Sequence, residues 1–236
     1  MTTAPDRPLA VTFDFGQTLA DLDVEMLARR IAEKEVMVAG EALERGVGPA
    51  WVAYNEAVLK GLGGHPWKIL MRRLLSEAAV HEGSIEGLVD WLWSEQPHKN
   101  LWRRPVPGMI DIVIELGRAG VPVGVVSNSE GRLAELAREL GWLDFFNAFA
   151  DSGKLGMEKP ARGIFDWTAE QLNVPVEKVV HIGDSYAADV EGALGAGLRA
   201  IWFRGDPSRA TDPRMIVCAD AAEVRAALTA WGLLPT

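Results

Sequence analysis

The chain carries two different patterns of hydrophobic and polar positions. Short, mostly apolar runs such as Val11–Phe13 and Val121–Val126 indicate buried strands. Between Val24 and Asn100, apolar residues instead recur every three or four positions, which is typical of amphipathic helices. The pattern therefore predicts an α/β region that is interrupted, after its first strand, by a helical segment.

The helical segment is predicted to form a bundle of about four helices that contains no strand. We expect breaks at Gly46–Pro49, at the glycine-rich stretch Gly61–Pro66, and at Gly83, after which Ser84 would cap the next helix. Large apolar rings suit the packing of such a bundle, although they could instead line a pocket facing Asp14. The rings in or beside the segment are Trp51, Trp67, Trp91, Trp93 and Trp102.

From Pro105 onward helices and strands alternate, which predicts a parallel sheet with right-handed crossovers and helices on both faces. The predicted order is helix 108–118, strand 121–126, helix 130–140, strand 148–150, helix 163–172, strand 179–182, helix 187–194, strands 199–203 and 215–218, and helix 221–230. The expected fold is thus an α/β Rossmann-like core, residues 1–20 and 103–236, with an inserted α-helical domain, residues 21–102.

Composition narrows the compartment and the partners. A net charge of -9 disfavours nucleic acid and anionic membranes, although a bound cation can still create a pocket for an anionic substrate. The single cysteine, Cys218, excludes an intrachain disulfide and fits a reducing compartment. No apolar run approaches the roughly 20 residues of a membrane span, and the N-terminal residues do not resemble a signal peptide. We expect a soluble cytoplasmic protein, either a monomer or a homodimer.

Polar residues follow the predicted strands at the point where each strand ends. They are Asp14 and Thr18 after the first strand, Ser127 and Asn128 after the second, Lys159 before a later helix, and Asp184 and Asp189 after the strand through Ile182. Because the carboxyl ends of parallel strands meet at one edge of a sheet, these side chains should converge in one crevice. Carboxylates, a hydroxyl, an amide and a cation are the groups that phosphoryl transfer requires.

Four short motifs in this order resemble those of the haloacid dehalogenase-like hydrolase superfamily. The family pattern is D-x-D-G-T, a strand-terminal Ser or Thr, a Lys, and G-D-x-x-x-x-D. The corresponding stretches here are Asp14–Thr18, Ser127–Asn128, Glu158–Pro160 and Gly183–Asp189. The resemblance extends over nearly the whole chain, and the helical insertion lies where one class of the family carries its cap domain.

The resemblance implies hydrolysis of a small phosphorylated molecule. Asp14 would be the nucleophile that forms an aspartyl-phosphate, in a catalytic motif that also contains Thr18. Ser127 and Lys159 would hold the phosphoryl oxygens, with Asn128 beside them in the substrate site. Lys159 would also neutralise charge next to Asp14.

The resemblance further implies Mg²⁺, a cation that prefers oxygen ligands and keeps several waters. Its ligands would be Asp14, the backbone carbonyl of Gly16, and Asp184, with Asp189 as a further ligand or as a partner of the ligands.

The first motif departs from the family pattern at Gly16. Phosphatases of the family carry a second aspartate there, which protonates the leaving group and later activates water, and Gln17 stands where glycine is usual. A glycine cannot carry a proton, and general acid–base catalysis typically contributes about 10²- to 10⁴-fold. We therefore expect weak activity on ordinary phosphomonoesters. A substrate with a good leaving group, such as an acyl phosphate, needs little help from an acid and should be affected less. Asp21 or Asp23 could replace the acid, or act as hinge or N-cap residues.

Other functions remain open at this stage. The chain could be a binding or regulatory module that retains the fold without turnover. Haloacid dehalogenases of the family displace halide without a metal and lack the first acid of the fourth motif, so the presence of Asp184 counts against that chemistry. Phosphonate-cleaving relatives use a lysine of the cap, for which Lys60 and Lys68 are the candidates. His181, inside a predicted strand, is interpreted as a core residue whose polar atoms have partners.

Overall fold

The computed structural model describes residues 7–60 and 66–235. The chain divides into two compact units, Met1–Asp21 with Arg103–Thr236, and Leu22–Trp102. The predicted glycine-rich break at residues 61–65 lies outside the described residues, as do residues 1–6 of the N-terminal stretch. Within the described part, no helix combines the length and the apolar character that crossing a membrane requires.

The first unit is built on a six-stranded sheet. Its strands are β1 (Ala10–Phe13), β4 (Val123–Ser127), β5 (Ala148–Asp151), β6 (Val179–Gly183), β7 (Arg199–Phe203) and β8 (Met215–Cys218), numbered along the chain. Strands β2 (Ala20–Leu22) and β3 (Trp102–Pro105) lie outside this sheet. The order across the sheet is β5-β4-β1-β6-β7-β8, and its neighbouring strands are parallel. The chain therefore turns in opposite directions on either side of β1, and such a reversal opens a crevice at the carboxyl ends of the strands.

Helices cover both faces of this sheet. The described helices of both units, numbered along the chain, are α1 (Val24–Ala32), α2 (Gly40–Lys60), α3 (Pro66–Glu77) and α4 (Glu82–Glu95) in the second unit, and α5 (Met109–Arg118), α6 (Leu133–Glu139), α7 (Ser152–Leu155), α8 (Arg162–Gln171), α9 (Gly192–Ala196) and α10 (Ala221–Ala230) in the first. Helices α8 and α9 bury one apolar face against Ala10, Val126 and Ala200 of the sheet. Helices α5 and α10 contact each other, α5 packing on β4 and α10 on β8. The predicted α/β Rossmann-like fold is confirmed.

Two short strands were not predicted. β2 and β3 form a separate two-stranded sheet, and the chain passes from one unit to the other within these paired strands. Each is only three or four residues long, so its apolar pattern is too short to read from the sequence.

The helical unit contains α1 to α4, but the predicted break at Gly46–Pro49 is wrong, since α2 runs through it with Pro49 inside the helix. A residue before proline normally avoids helical geometry, because its Cβ clashes with the proline ring. Gly48 has no Cβ, so the clash between a Cβ and the proline ring is absent. Gly46 has a different role: a Cβ there would come within 3.0 Å of Glu77 Cβ and Leu74 Cδ1 of α3.

Two helix starts also differ from the prediction. The prediction that Ser84 caps α4 is wrong: the helix begins at Glu82, and the Ser84 N–H donates to the His81 carbonyl at 2.9 Å. Helix α6 begins at Leu133 instead of Glu130, because the Asp151 carboxylate accepts hydrogen bonds from the backbone N–H groups of Gly131 and Leu133. Neither difference could be read from the local sequence. Asp151 is distant in sequence from α6, and the hydrogen bond at the start of α4 joins two backbone groups.

The aromatic residues of the helical unit pack on one another. The rings of Trp51 and Trp67 each lie 6.5 Å from the ring of Trp102, centroid to centroid, and Trp67 lies 5.3 Å from Trp93. Trp67 and Trp102 are buried. For these residues the packing interpretation accounts for the observed contacts.

The close approach of α2 to α3 can be tested with two glycines. Gly87→Ala in α4 places the new Cβ in open space and should raise the free energy of unfolding by about 0.5–1 kcal/mol, because alanine favours the helix. Gly46→Ala should gain less than this or lose stability, because its Cβ meets α3. Urea unfolding measures both, and equal gains would contradict the close packing.

Candidate active site

Asp14 lies one residue beyond the end of β1, at the carboxyl edge of the sheet. Its backbone N–H donates to the Ile182 carbonyl at 2.8 Å, which extends the pairing of β1 with β6 by one residue. The residue is 9% exposed. A carboxylate is therefore fixed at the carboxyl edge of the sheet, in the crevice.

The loop after Asp14 is a compact turn. The Gln17 N–H donates to the Ala20 carbonyl at 2.8 Å, and Gln17 has a φ of 59°, in the left-handed region. A non-glycine residue there costs roughly 1–2 kcal/mol, which explains why glycine suits this position in the motif D-x-D-G-T. Thr18 is fully buried, and its Oγ1 makes no hydrogen bond to any described residue.

Lys159 lies between two carboxylates. Its Nζ donates to Asp14 Oδ1 and to Asp189 Oδ1, each at 2.6 Å, and its side chain is only 3% exposed. The Asn128 amide holds the backbone of Lys159 from both sides: Oδ1 accepts from the Lys159 N–H at 2.8 Å, and Nδ2 donates to the Lys159 carbonyl at 3.0 Å. The structure thus gives the Asn128 side chain a positioning contact, whereas its substrate contact stays a prediction.

Both carboxylate oxygens of Asp189 accept hydrogen bonds from the protein. Oδ1 accepts from Lys159 and from His181 Nε2 at 3.1 Å, and Oδ2 accepts from the Ser185 N–H at 2.9 Å. Asp189 reaches this position from a π-helical segment, Tyr186–Glu191. The Asp189 side chain fills the space that any side chain at position 183 would need. A Cβ added to Gly183 would come within 2.5 Å of three Asp189 atoms. Asp189 can lie over the strand because residue 183 is glycine.

His181 was predicted to be a core residue whose polar atoms have partners, and this is confirmed; the sequence did not reveal that one of these partners is Asp189 of the candidate site. It is fully buried, and besides its contact with Asp189, its Nδ1 lies 3.0 Å from Thr12 Oγ1 on the neighbouring strand. The available signal was the two-residue period of a strand, which places His181 and Gly183 on the same face of β6.

Three of the four predicted metal ligands, all aspartates, form a cluster of oxygen atoms, whereas the contribution of the Gly16 carbonyl stays a prediction. One carboxylate oxygen from each of Asp14, Asp184 and Asp189 lies within 4.8 Å of the other two. The Trp202 Nε1–H donates to the Asp184 carbonyl at 2.8 Å and so fixes the backbone of this loop. With all groups ionised, three carboxylates face the one Lys159 ammonium, which leaves an excess of two negative charges that a divalent cation would balance. The donor set therefore fits Mg²⁺, a cation that prefers oxygen.

Burial and neighbouring charges shift the acidities in this cluster. Burial raises the pKa of Asp14, against the lowering effect of the Lys159 ammonium. Burial and the negative charges of Asp189 and Asp14 raise the pKa of Asp184 well above its usual value. Burial acts in the same direction on Asp189, but the Lys159 charge and the His181 hydrogen bond outweigh it and hold the pKa of Asp189 below its usual range. Burial lowers the pKa of His181.

Ser127 ends β4 at the same edge as Asp14. Val125 pairs with Phe13, so Ser127 lies at the level just beyond Asp14 on the neighbouring strand. The loop that follows it is held by Asp151, whose Oδ1 accepts from Ser129 Oγ at 2.8 Å. The strand order thus brings Ser127 to the crevice, and its contact with a phosphoryl oxygen stays a prediction.

The two acids considered as replacements for the missing aspartate have other partners. The Asp23 side chain caps α1 by accepting from the Met26 N–H at 2.8 Å, which confirms the N-cap interpretation. Asp21 is paired with the Arg204 guanidinium, Oδ1 lying 2.9 Å from Nη1. Neither carboxylate is therefore available as a free acid in this structure.

A model of the haloacid dehalogenase-like hydrolase family matches residues 9–197 of the chain. The chain belongs to this family. The match includes β1, the helical unit, and the residues Ser127, Lys159, Asp184 and Asp189.

Individual relatives are more distant. A phosphoglycolate phosphatase of Neisseria meningitidis is 28% identical over 211 residues, 84% of this chain and 83% of that one. A 5-amino-6-(5-phospho-D-ribitylamino)uracil phosphatase of Escherichia coli is 36% identical over 76 residues, so the chain matches only 32% of its length. A solved structure of a hydrolase of the family from Bacillus subtilis, bound to magnesium, has a TM-score of 0.69 and 18% identity, covering 94% of this chain and 99% of that one.

The weight of the central ion pair can be measured by Lys159→Met. The substitution leaves Asp14 and Asp189 buried without their cation, and should cost about 3–5 kcal/mol of the free energy of unfolding. The control is Lys154→Met, which removes an exposed pair with Glu135 at 3.2 Å and should cost less than about 1 kcal/mol. Urea unfolding at neutral pH gives both values. A similar small loss in both variants would contradict a structural role for the buried pair.

Proposed function

We propose that the protein is a phosphohydrolase in which Asp14 attacks the phosphorus atom of a small phosphorylated molecule. The observation that carries this proposal is the buried contact of Lys159 Nζ with Asp14 Oδ1, next to the carboxylate oxygens of Asp184 and Asp189. A carboxylate nucleophile and the phosphate oxygens repel each other because both are negatively charged. An adjacent ammonium reduces this repulsion. The phosphatases among the relatives, which act on small phosphorylated molecules, support the substrate class.

The chain's own residues supply the two chemical steps. Lys159 holds Oδ1 of Asp14, which leaves Oδ2 to form a bond to phosphorus while the bond from phosphorus to the leaving oxygen breaks and its electron pair departs with that oxygen. Water then adds to phosphorus, gives up its proton to solvent, and the electron pair of the P–O bond returns to Asp14. Ser127 and Lys159 hold the nonbridging oxygens in both steps.

Asp14, Asp184 and the Gly16 carbonyl are the proposed ligands of Mg²⁺. A bound Mg²⁺ would neutralise negative charge on the phosphoryl oxygens. Asp189 already accepts hydrogen bonds on both oxygens, so we assign it the role of orienting Lys159 instead of binding the metal directly. The unit formed by residues 22–102 is the proposed cap domain, which would select the substrate.

Gly16 limits which substrates this site can hydrolyse. No side chain at position 16 can protonate the departing oxygen, and Asp21 and Asp23 have other partners. Substrates whose leaving oxygen is stable as an anion, such as acyl phosphates, should therefore react better than alkyl phosphates. The same observation favours a second candidate, a binding module that retains the phosphate site without turnover.

The nucleophile is tested by Asp14→Asn. With Mg²⁺ present, the wild-type protein should release phosphate from acetyl phosphate and p-nitrophenyl phosphate, and the variant should release none above background, because the amide is not a nucleophile. The rate should also fall steeply as the leaving group becomes more basic. Wild-type turnover equal to that of Asp14→Asn on every activated substrate would leave the binding module as the better description.

The missing acid is tested by Gly16→Asp. The variant should raise the rate on alkyl phosphates, by up to about 10²-fold, and change the rate on acetyl phosphate much less, because only the alkoxide needs a proton. Gly16→Asn is the matched control, since it adds a side chain of the same shape without an acid. Equal rates for Gly16→Asp and Gly16→Asn would contradict the assignment of position 16 to acid catalysis.

A further inference from the structure

A continuous line of buried polar contacts leads from the middle of the sheet to the nucleophile. Thr12 Oγ1 lies 3.0 Å from His181 Nδ1, and His181 Nε2 lies 3.1 Å from Asp189 Oδ1. The same Asp189 oxygen accepts from Lys159 Nζ, which also donates to Asp14, both at 2.6 Å. None of the five side chains belongs to an exposed residue, and Thr12 and His181 are 1% and 0% exposed.

The backbone register explains why the first two members meet. Thr12 on β1 pairs directly with His181 on β6, so their side chains leave the same face of the parallel sheet. That face is covered by α8, whose Phe165 ring packs edge-on against the imidazole with ring centroids 5.2 Å apart. Polar groups buried under such a layer are costly unless they have partners, and both imidazole nitrogens have one.

The carboxylate of Asp189 fixes the direction of these hydrogen bonds, because an ionised carboxylate can only accept. Asp189 Oδ1 can only accept when ionised, so His181 Nε2 carries the proton and donates. Neutral His181 Nδ1 then accepts from the Thr12 hydroxyl, whose other acceptor, the Val180 carbonyl, lies farther away at 3.5 Å. The hydroxyl of Thr12 therefore complements the imidazole tautomer that donates to Asp189.

We infer that Thr12 and His181 are positioning residues of the reaction, which fix Asp189 and through it hold the Lys159 ammonium against Asp14. The inference rests on the phosphoryl transfer proposed above. Without the Nε2 donor, Asp189 Oδ1 keeps only Lys159, and the carboxylate loses one of the bonds that set its orientation. The partner of Lys159 on the side away from the nucleophile is then held only through Oδ2, by the Ser185 N–H. Such outer partners typically change activity or ligand affinity by about 10- to 100-fold when they are removed.

Two conservative substitutions of His181 separate positioning from packing. The amide nitrogen of glutamine reaches about as far as Nε2, so His181→Gln keeps a donor for Asp189. Asparagine reaches only as far as Nδ1, so His181→Asn keeps the polarity and loses that donor. We expect His181→Asn to lower kcat by about 10- to 100-fold, and His181→Gln to recover most of this loss.

The first link is tested separately by Thr12→Val, which keeps the shape of the side chain and removes the hydroxyl. It should lower kcat by about two- to tenfold, the effect of one neutral hydrogen bond. The matched control is Thr168→Val, because Thr168 is equally buried and its hydroxyl donates within α8 to the Ile164 carbonyl at 2.7 Å. Thr168→Val should leave kcat unchanged. Urea unfolding identifies any variant that fails to fold.

A readout that does not depend on turnover completes the test. In ¹⁵N-histidine-labelled wild-type protein, the His181 resonances, identified by their loss in His181→Gln, should show a protonated Nε2 and an unprotonated Nδ1. The Kd for inorganic phosphate, measured by calorimetry, should rise in His181→Asn and be restored in His181→Gln. A proton on Nδ1, or equal losses in the asparagine and glutamine variants, would overturn the inference.

The outcomes also separate this inference from the proposed function. If the wild-type protein neither hydrolyses acetyl phosphate nor binds phosphate, the proposed function fails and a role in the reaction fails with it. If the wild-type protein is active while the asparagine, glutamine and valine variants match it, the proposed function stands and only the positioning role is overturned.

Discussion

The arrangement of the site depends on one buried ammonium that satisfies two carboxylates at once. The Asn128 side chain holds the backbone of Lys159 by two hydrogen bonds. The charge of the Lys159 ammonium offsets the desolvation of Asp14 and Asp189. Removing one partner of a buried charge pair is far more costly than removing an exposed pair. Asp14 lies 145 positions before Lys159, whereas Asp189 lies only 30 positions after it, so the contact also joins the first strand to the second half of the sheet.

Backbone geometry makes this contact possible at two glycine-type positions. Gly183 leaves room for Asp189 to lie over the end of β6. Position 17 needs a left-handed φ for the turn after the nucleophile, and this chain places Gln17 there. The turn persists because its hydrogen bonds, such as that of the Gln17 N–H to Ala20, compensate the strain. The loop thus combines this turn with a glycine at position 16, which carries no acid.

The sheet and its polar strand ends could be predicted because each rests on local pattern: apolar runs mark β4 and β6, and Ser127 or Asp184 follows directly. The contacts that organise those residues are not local. Asn128 grips Lys159 across thirty-one positions, and Thr12 meets His181 only through strand register. The continuation of α2 through Pro49 was not predicted, because the close packing of α2 on α3 cannot be read from the sequence of α2 alone.

The pairing of β2 with β3 has a consequence for how such a chain can change over time. The helical unit leaves and re-enters through two strands that lie side by side, so its two ends are neighbours. An excursion with adjacent ends costs a closure entropy that grows only logarithmically with its length. Whole segments of different size and sequence can therefore be exchanged at this junction while the sheet keeps its topology. The insertion point is therefore a place where the chain can vary without refolding the half that contains the six-stranded sheet.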